Sequence, residues 1–156
     1  MDKTAQIDYK SIFDDFPEGC QVISPEFRYV YVNSAVAKQG KSDVATLTGK
    51  FMTEAYPGID QTPMFEKLKS CLGSGEPDAM KNKFDFPDGS TGWYLLKFRP
   101  VPDGILIISE DVTEIEKQRQ KLEKMNKFMV NRELDMADMK RKMTELRQSQ
   151  APETAP

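Results

Sequence analysis

Histidine is absent from the 156 residues of the sequence, and cysteine occurs only twice, at Cys20 and Cys71. Without histidine, the Ser-His and Cys-His pairs that activate many protein nucleophiles cannot form. The two cysteines are far apart in sequence and show no Cys-x-x-Cys spacing, so neither a disulfide framework nor a metal site is indicated. We expect both thiols to be small buried apolar groups, and we predict that the chain is not an enzyme.

Long apolar runs and a strong charge of one sign are missing too. The net charge is −3, which gives no basic footprint for nucleic acid. No apolar run approaches the roughly 20 residues that span a bilayer, and the first residues show no basic, apolar leader. Gly73-Ser74-Gly75 has the pattern of a helix stop, not of a phosphate loop. We therefore predict no nucleic-acid partner, no membrane span and a cytoplasmic location.

What the sequence does contain is a strand that continues directly into a long helix. Ile105 to Ile108 is a short apolar run, β-branched at three of its four positions, which is typical of a strand buried on both faces. From Ile115 onward the apolar residues recur every seven positions. Between the two patterns, Asp111 or Thr113 can cap the exposed N–H groups of the first helical turn.

The seven-residue repeat predicts a coiled coil over residues 114–147. A strict repeat of this length requires left-handed supercoiling against a partner helix, so we expect a homodimer. The predicted contact residues are Ile115, Leu122, Met125, Met129, Met136, Met139, Met143 and Leu146. Gln118 and Arg132 interrupt this seam, and methionine specifies packing geometry poorly. Two interpretations stay open: a coil that can shift its register, or a dimer of mediocre stability.

Upstream of this helix, the pattern predicts two strands, several short helices and three further strands within residues 19–113. These elements suggest an α+β fold, with one five-stranded antiparallel sheet and the helices on one face. Residues 1–18 are predicted to form an N-terminal cap helix, either a lid on the core or a contact with a partner subunit. Its apolar stripe consists of Tyr9, Ile12, Phe13 and Phe16. Residues 148–156 are polar and are expected to be disordered.

Four short motifs follow one another along the chain: Tyr-Val-Tyr-Val-Asn at 29–33, Leu-Thr-Gly-Lys-Phe at 47–51, Phe-Pro-Asp-Gly-Ser-Thr-Gly-Trp at 86–93, and Asp-Val-Thr-Glu at 111–114. In their order and spacing they resemble the PAS sensor family across residues 10–147. The last is similar to the Asp-Ile-Thr motif that links PAS cores to signalling helices. The resemblance implies a PAS fold whose short helices and inner sheet face enclose a ligand or chromophore cavity. It also implies that Asp111 pairs with a basic group and forms a signal joint with Thr113.

The cofactor markers of that family are missing here. Its haem-binding oxygen sensors usually supply an axial histidine, which this sequence lacks. Its flavin photoreceptors carry Asn-Cys-Arg where this sequence has Gly-Lys-Phe-Met-Thr-Glu, and Tyr56-Pro57-Gly58-Ile59 occupies the place of the chromophore-bearing cysteine of photoactive yellow proteins. We therefore do not expect His-ligated haem, covalent flavin or a coumaroyl group. The cofactor is left unknown, and a non-covalent small molecule is a possible ligand.

The residues expected around a cavity are apolar and aromatic. They are Phe51, Met64, Phe65, Leu68, Phe84, Trp93 and Leu95. The same side chains could equally be ordinary core, since aromatic residues at strand and helix spacing pack the interior of any small domain. Few polar groups in the sequence converge to orient a ligand.

Two functions follow from this pattern. The first is a sensory and dimerisation module in two-component or related signal transduction, either free-standing or the input part of a larger sensor. A change in the core would reach a downstream signalling protein or domain through the last strand, Asp111-Val112-Thr113 and the coiled coil. The alternative is a structural adaptor that dimerises without any ligand. A histidine kinase needs a phosphoacceptor histidine and an ATP-binding domain, so this chain could only be an input part of one.

Overall fold

A computed structural model describes residues 6–152 as a five-stranded antiparallel sheet, a set of short helices and one long C-terminal helix. The predicted fold class is confirmed. The chain divides into two units, residues 1–113 and residues 114–156. Residues 1–5 of the predicted N-terminal cap and residues 153–156 of the predicted tail lie outside the described residues.

The last strand lies at the centre of the sheet. The strands are β1 (Gly19–Ile23), β2 (Tyr29–Val32), β3 (Asp78–Asp85), β4 (Thr91–Val101) and β5 (Gly104–Asp111). Their order across the sheet is β2-β1-β5-β4-β3, and every neighbouring pair is antiparallel. Ile105 and Ile107 of β5 are fully buried, whereas Leu106 and Ile108 are only half-buried. The prediction of a strand buried on both faces is therefore correct for one face only.

Local signals in the sequence fix the ends of the helices. The helices of the first unit are α1 (Tyr9–Asp14), α2 (Ser34–Gln39), α3 (Val44–Leu47), α4 (Met52–Ala55), a 3₁₀ turn (Ile59–Gln61) and α5 (Pro63–Ser74). Asn33 caps α2, and Thr62 caps α5 with proline at the first helical position, as the sequence predicts. Gly75 ends α5 in the left-handed conformation, with φ +70°, which glycine adopts without steric cost.

The apolar core lies between the inner face of the sheet and α2 to α5. Phe98 and Ile107 contribute from the sheet, Leu47 and Leu68 contribute from the helices, and all four are almost completely buried. Burial alternates along β4, so that Tyr94, Leu96 and Phe98 face inward while the intervening side chains face the other side of the sheet. This alternation is the period of a strand with one face on the core.

A single uninterrupted helix, α6, follows the sheet and runs from Thr113 to Ser149. It extends two residues past the start of the predicted tail, a difference within the usual uncertainty of helix ends. Apart from Glu116, none of its residues is buried. Among residues 6–152, no helix is apolar enough over sufficient length to cross a membrane.

Candidate functional site

A small cavity lies on the inner face of the sheet, under α2, the 3₁₀ turn and α5. Its volume is about 80 Å³. The lining residues are Gln21, Tyr29, Val36, Gln39, Gly40, Tyr56, Ile59, Met64, Asn82, Phe84, Tyr94, Leu96 and Ser109. The lining therefore combines apolar groups with amides, phenols and one hydroxyl. We call this space the inner cavity.

One end of the inner cavity is closed by a two-point contact between α2 and β5. The Ser109 hydroxyl donates to Gln39 Oε1 at 2.6 Å, and Gln39 Nε2 donates to the Ser109 carbonyl at 3.1 Å. Gly19, which faces Ser109 in the β1–β5 register, makes room for this contact, since a Cβ there would lie 2.1 Å from Ser109 Oγ. We call the pair the Gln39–Ser109 clamp, and it ties the cavity wall to the central strand.

Three further polar side chains line the inner cavity. Gln21 is 7% exposed and Tyr29 is 3% exposed, and Asn82 is half-buried. Within residues 6–152, none of these three side chains makes a hydrogen bond, although each lines the cavity. No buried side-chain nitrogen or oxygen atom among residues 6–152 lacks a hydrogen-bond partner, so the unbonded polar atoms of these three side chains are accessible to solvent from the cavity.

The phenols of the inner cavity are held in their neutral form. Burial raises the pKa of Tyr29, Tyr56 and Tyr94 above the ordinary value of 10.0, and the charge of Asp111 adds to the effect on the pKa of Tyr94. A neutral phenol can donate a hydrogen bond. Two of these hydroxyls donate to the end of α2: Tyr94 to the Gln39 carbonyl and Tyr56 to the Gly40 carbonyl, each at 3.2 Å.

A larger pocket of about 630 Å³ lies beside the inner cavity. Tyr56 and Phe84 line both spaces, and their rings meet edge to face with centroids 5.9 Å apart. At the rim of this outer pocket, the Lys41 ammonium binds the Asp88 carboxylate, donates to Ser90 Oγ at 2.6 Å and lies over the Phe86 ring. The Tyr56–Phe84 ring pair therefore separates the inner cavity from the outer pocket.

The structure brings only some of the predicted cavity residues to the cavity. Met64 and Phe84 line it. Phe65 and Leu68 are buried in the adjoining core, and Phe51 lies under the Arg28 guanidinium at the edge of the fold. Trp93 and Leu95 alternate with the inward residues of β4 and face the other side of the sheet.

Sequence reasoning missed the polar half of the lining and the inward residues of β4. Gln21 and Ser109 stand inside apolar strands, where a single polar residue is easily read as incidental. Asn82 could have been found, because β3 alternates Met80, Asn82 and Phe84 with charged residues. The lining nevertheless contains amides and phenols from β1, β2, α2, β3 and β4, more polar residues than the sequence suggested.

The predicted signal joint is a short hydrogen-bonded segment between β5 and α6. Asp111 Oδ1 accepts from the Thr113 backbone N–H at 2.9 Å and from the Thr113 hydroxyl at 2.5 Å. The same hydroxyl oxygen accepts from the Trp93 N–H at 3.0 Å, and the Val112 N–H donates to the Trp93 carbonyl at 2.8 Å. The first residue of α6 is thereby bound to β4.

Among residues 6–152, no basic side chain pairs with Asp111, although the family resemblance implies such a partner. Within the described part of the chain, the Asp111 carboxylate is bonded to Thr113 and forms no ion pair. The reason is local: Asp111 stands two residues before Thr113, and aspartate readily binds backbone N–H groups at that spacing. Asp111 thus forms a hydrogen-bonded turn at the start of the helix.

The predicted coil residues form an exposed apolar series on α6. Exposure ranges from 50% at Met125 to 64% at Met139, with the other six between these values. Phe128, Val130 and Leu134 are exposed on the same helix. An isolated helix would leave this surface in water.

The sequence profile described as the PAS fold matches residues 13–117, more than half of the chain. The chain belongs to the PAS family. It is therefore a sensory and signalling module, and PAS domains in general are not catalytic.

Solved structures share the fold. A domain of a sensory box sensor histidine kinase/response regulator from Geobacter sulfurreducens is 21% identical, with a TM-score of 0.55 over 66% of this chain and 90% of that chain. The PAS domain of a LuxR-family transcriptional regulator from Burkholderia thailandensis, solved with ethanol, is 22% identical, with a TM-score of 0.54 over 68% and 98%.

An RNA-binding Light-Oxygen-Voltage receptor is 18% identical, with a TM-score of 0.62 over 82% of this chain. This chain spans 40% of the length of that receptor. No curated protein matches the sequence.

Proposed function

We propose that this chain is a cytoplasmic, homodimeric sensory module of a two-component or related phosphorelay. In this proposal residues 1–18 are the N-terminal cap, residues 19–113 are the sensing core and residues 114–147 are the coiled-coil signalling helix. A change at the inner cavity alters β5, and the joint at Asp111 and Thr113 passes that change to the coil. The coil then presents a different geometry to a downstream signalling protein or domain.

The observation that carries this proposal is that cavity wall and joint share one strand. Ser109, held by Gln39, and Asp111, bonded to Thr113, are two residues apart on β5. Two successive inward or outward side chains of a strand are about 7 Å apart. A ligand that displaces Gln39 would therefore change contacts of the very strand that ends in the joint.

The homodimer is supported by the repeat of α6. The eight contact residues are exposed, and their seven-residue spacing matches the same spacing on a second copy. The N-terminal helix offers a further apolar surface, because Tyr9 and Ile12 are exposed and α1 has no buried residue. A second copy of the chain would cover both.

A small-molecule signal and a phosphorelay are supported by relatives of similar fold. The Burkholderia PAS domain was solved in complex with ethanol, and the Geobacter domain comes from a sensor histidine kinase/response regulator. We extend both properties to this chain as part of the proposal.

The relay is tested by measuring the distance between the two coil helices. A spin label on Lys124→Cys places one label on each copy, and the two native thiols are buried. We expect Asp111→Ala and Thr113→Val each to shift or broaden the label-to-label distance distribution, because both remove the bonds that fix the start of α6. Glu110→Ala, the neighbouring exposed carboxylate, is the matched control and should leave the distribution unchanged.

An unchanged distribution in both joint variants would exclude the relay and favour the ligand-free structural adaptor. Sedimentation of the unlabelled chain as a monomer would exclude the homodimer. Gly19→Ala is a second test of the relay that starts at the cavity wall, because the added methyl group must displace Ser109 or Gln39. If the relay holds, this change at the cavity wall also alters the distance between the coil labels.

A further inference from the structure

The predicted seam of α6 has a charged residue near its middle. The seam runs from Ile115 to Leu146 in alternating steps of three and four residues, and Arg132 stands in it between Met129 and Met136. A guanidinium that is enclosed between two helices loses hydration, which is unfavourable unless an opposite charge lies beside it. Arg132 therefore requires a carboxylate wherever a second helix covers this seam.

Arg132 has no such partner within its own chain. Its side chain is exposed and forms no ion pair or hydrogen bond with any of residues 6–152, and the same is true of the next residue, Glu133. Other charges of α6 do pair along the helix, as Arg119 does with Glu116 and Glu123. Adjacent residues on a helix do not face each other, so the unpaired charges at 132 and 133 are available to another chain.

A second helix that is parallel and in register brings these two charges together. In a coiled coil, each seam residue inserts among four residues of the facing helix. For Arg132 in a parallel pair, these are Met129, Arg132, Glu133 and Met136 of the second copy. Because a symmetric dimer repeats every contact, two Arg132–Glu133 pairs form and offset the repulsion between the two guanidinium groups.

Other alignments of the two helices separate these charges. In an antiparallel pair that overlaps the whole seam, Met129 of the second copy lies level with Arg132, and Glu133 lies about 6 Å further along the axis at about 1.5 Å per residue. A parallel pair that is shifted by one heptad puts Asn126 or Lys140 in the place of Glu133. Neither side chain supplies a carboxylate to Arg132.

The charges that flank the seam also favour the parallel alignment. Flanking residues that are five apart on the two helices then face each other, which joins Asp135 to Lys140. Neither of these has an ion pair within residues 6–152. In the antiparallel alignment, Lys140 instead lies beside the like charge of Arg119. One flanking pair of like charge, Lys142 and Arg147, opposes the parallel alignment, so the charges at Arg132 and Glu133 decide the balance.

We infer that Arg132 of each copy binds Glu133 of the other, and that these two ion pairs set the coil parallel and in register. This pairing rests on the homodimer of the proposed function and specifies its geometry. A polar residue in an apolar seam lowers stability but selects one alignment over others. Arg132 is therefore a residue that determines how a second copy of this chain pairs.

The alignment is measured with spin labels on the full chain at two positions of the coil. Lys124→Cys and Glu145→Cys each place one label on each copy, and the native thiols are buried. In the inferred dimer, the label-to-label distances are alike at the two positions. In the antiparallel alignment, the labels would be separated along the axis by about 20 Å at position 124 and by about 44 Å at position 145. A difference of that kind overturns the inference.

Reversing either charge tests the ion pair itself. Arg132→Glu and Glu133→Arg each place like charges together across the seam, and each should weaken dimerisation at least about tenfold in analytical ultracentrifugation. An equimolar mixture of the two variants should restore dimerisation, because each copy then presents the charges that the other lacks. Lys127→Glu makes the same change of charge on the far side of the helix. It is the matched control and should alter dimerisation by less than about twofold.

The inference is wrong if either single variant dimerises as the unmodified chain does, or if the mixture fails to recover. In those cases the homodimer and the relay of the proposed function still stand. Sedimentation of the unmodified chain as a monomer would refute the homodimer and this pairing together. Failure of the relay is recognised separately, from unchanged coil distances in the Asp111 and Thr113 variants.

Discussion

The two units of this chain treat their apolar side chains in opposite ways. In residues 1–113, apolar groups from every strand of the sheet meet those of α2 to α5 in one continuous core. In residues 114–156, the apolar side chains of α6 stand in water along the helix. The first unit packs apolar side chains into a core of its own, apart from the exposed ones of α1, whereas none of the apolar side chains of α6 is buried. The sheet unit therefore has a hydrophobic core of its own, and α6 has none within the described residues.

The two units also differ in how their polar side chains are bonded. In the first unit, Asn33 is fully buried and makes every hydrogen bond that an asparagine side chain can make. In α6, Arg119 binds the buried Glu116 and the exposed Glu123. The core thus uses a buried polar group to fix its geometry, whereas the polar groups of α6, apart from Glu116, are exposed to solvent.

The comparison predicts that apolar truncation is costly only in the first unit. Leu68→Ala should lower the free energy of unfolding by about 2–5 kcal/mol, because Leu68 is fully buried and leaves a cavity. Met129→Ala on α6 should change the unfolding of the sheet unit by less than about 0.5 kcal/mol. Denaturant titration followed by the fluorescence of Trp93, the single tryptophan, measures both at one protein concentration. Equal losses in the two variants would break the distinction.

The second prediction concerns the buried polar group of the core. Asn33 Nδ2 donates to the Phe13 and Glu18 carbonyls, and Asn33 Oδ1 accepts from Cys20 and Val36. Asn33→Ala should destabilise the chain by about 2–3 kcal/mol, because it leaves several of these groups unpaired.

Asn33→Asp is the informative companion to this variant. It keeps the acceptor for Val36 and Cys20 and loses both donors, so it should detach the segment around Phe13 and Glu18 while α2 stays capped. Faster hydrogen exchange at residues 9–18 with unchanged exchange in α2 is the expected result. Unchanged exchange in both segments would show that Asn33 does not hold the N-terminal helix.

Alkaline pH should distinguish the two units, because all five tyrosines lie before residue 114. Burial raises the pKa of Tyr29 in the folded chain above its ordinary value of 10.0. The unfolded chain therefore releases protons first, so the contribution of Tyr29 is intact below pH 10 and is lost as pH rises toward the folded pKa. Tyr29→Phe should make the unfolding midpoint less sensitive to pH above 10. Midpoints measured between pH 8 and pH 11 would contradict this if both chains lost stability equally.

The smallest effects are expected at the exposed ion pairs, where the two units should behave alike. The Lys41 ammonium is the largest cause that holds the pKa of Asp88 below its ordinary value of 3.8. The contribution of this pair is present above that value and disappears as pH falls through the depressed folded pKa. Lys41→Met should return the pKa of Asp88 toward 3.8 in a carboxyl ¹³C titration and barely change stability at neutral pH.

Glu123→Gln on α6 is the matched change for this last prediction. It removes an exposed carboxylate that binds Arg119, and it should leave the thermal midpoint at neutral pH unchanged within error. A clear loss in either variant would mean that the pair is coupled to packing beneath it.

The local features of the fold could be predicted from sequence because they depend on neighbouring residues. Asn33 and Thr62 mark helix starts through their side-chain oxygens, and Gly75 marks a helix end through its left-handed backbone. The period of α6 and the apolar run of β5 are equally local. These signals predict the order of the elements and the α+β class, because hydrophobic periodicity is visible within a short window of the sequence.

Which side chains of β4 point toward the core could not be predicted in the same way. This strand has four apolar or aromatic residues in a row, Trp93, Tyr94, Leu95 and Leu96. No alternation of polar and apolar residues therefore shows which of the four face the core. Pairing with β3 and β5 decides which residues point inward, and a shift of one residue would exchange the two faces. The sequence assigned Trp93 and Leu95 to the cavity, whereas the sheet places Tyr94 and Leu96 there.

By itself, then, the sequence determined the order of the elements, the helix ends and the apolar repeat of α6, because these depend on side-chain period and capping chemistry. Only the tertiary structure decided which polar groups meet. Gln39 and Ser109 are 70 residues apart in sequence, and Gln21 and Asn82 lie on strands that do not pair with each other. These side chains meet at one cavity because β5 pairs with both β1 and β4 in the sheet. No local sequence pattern encodes that strand order.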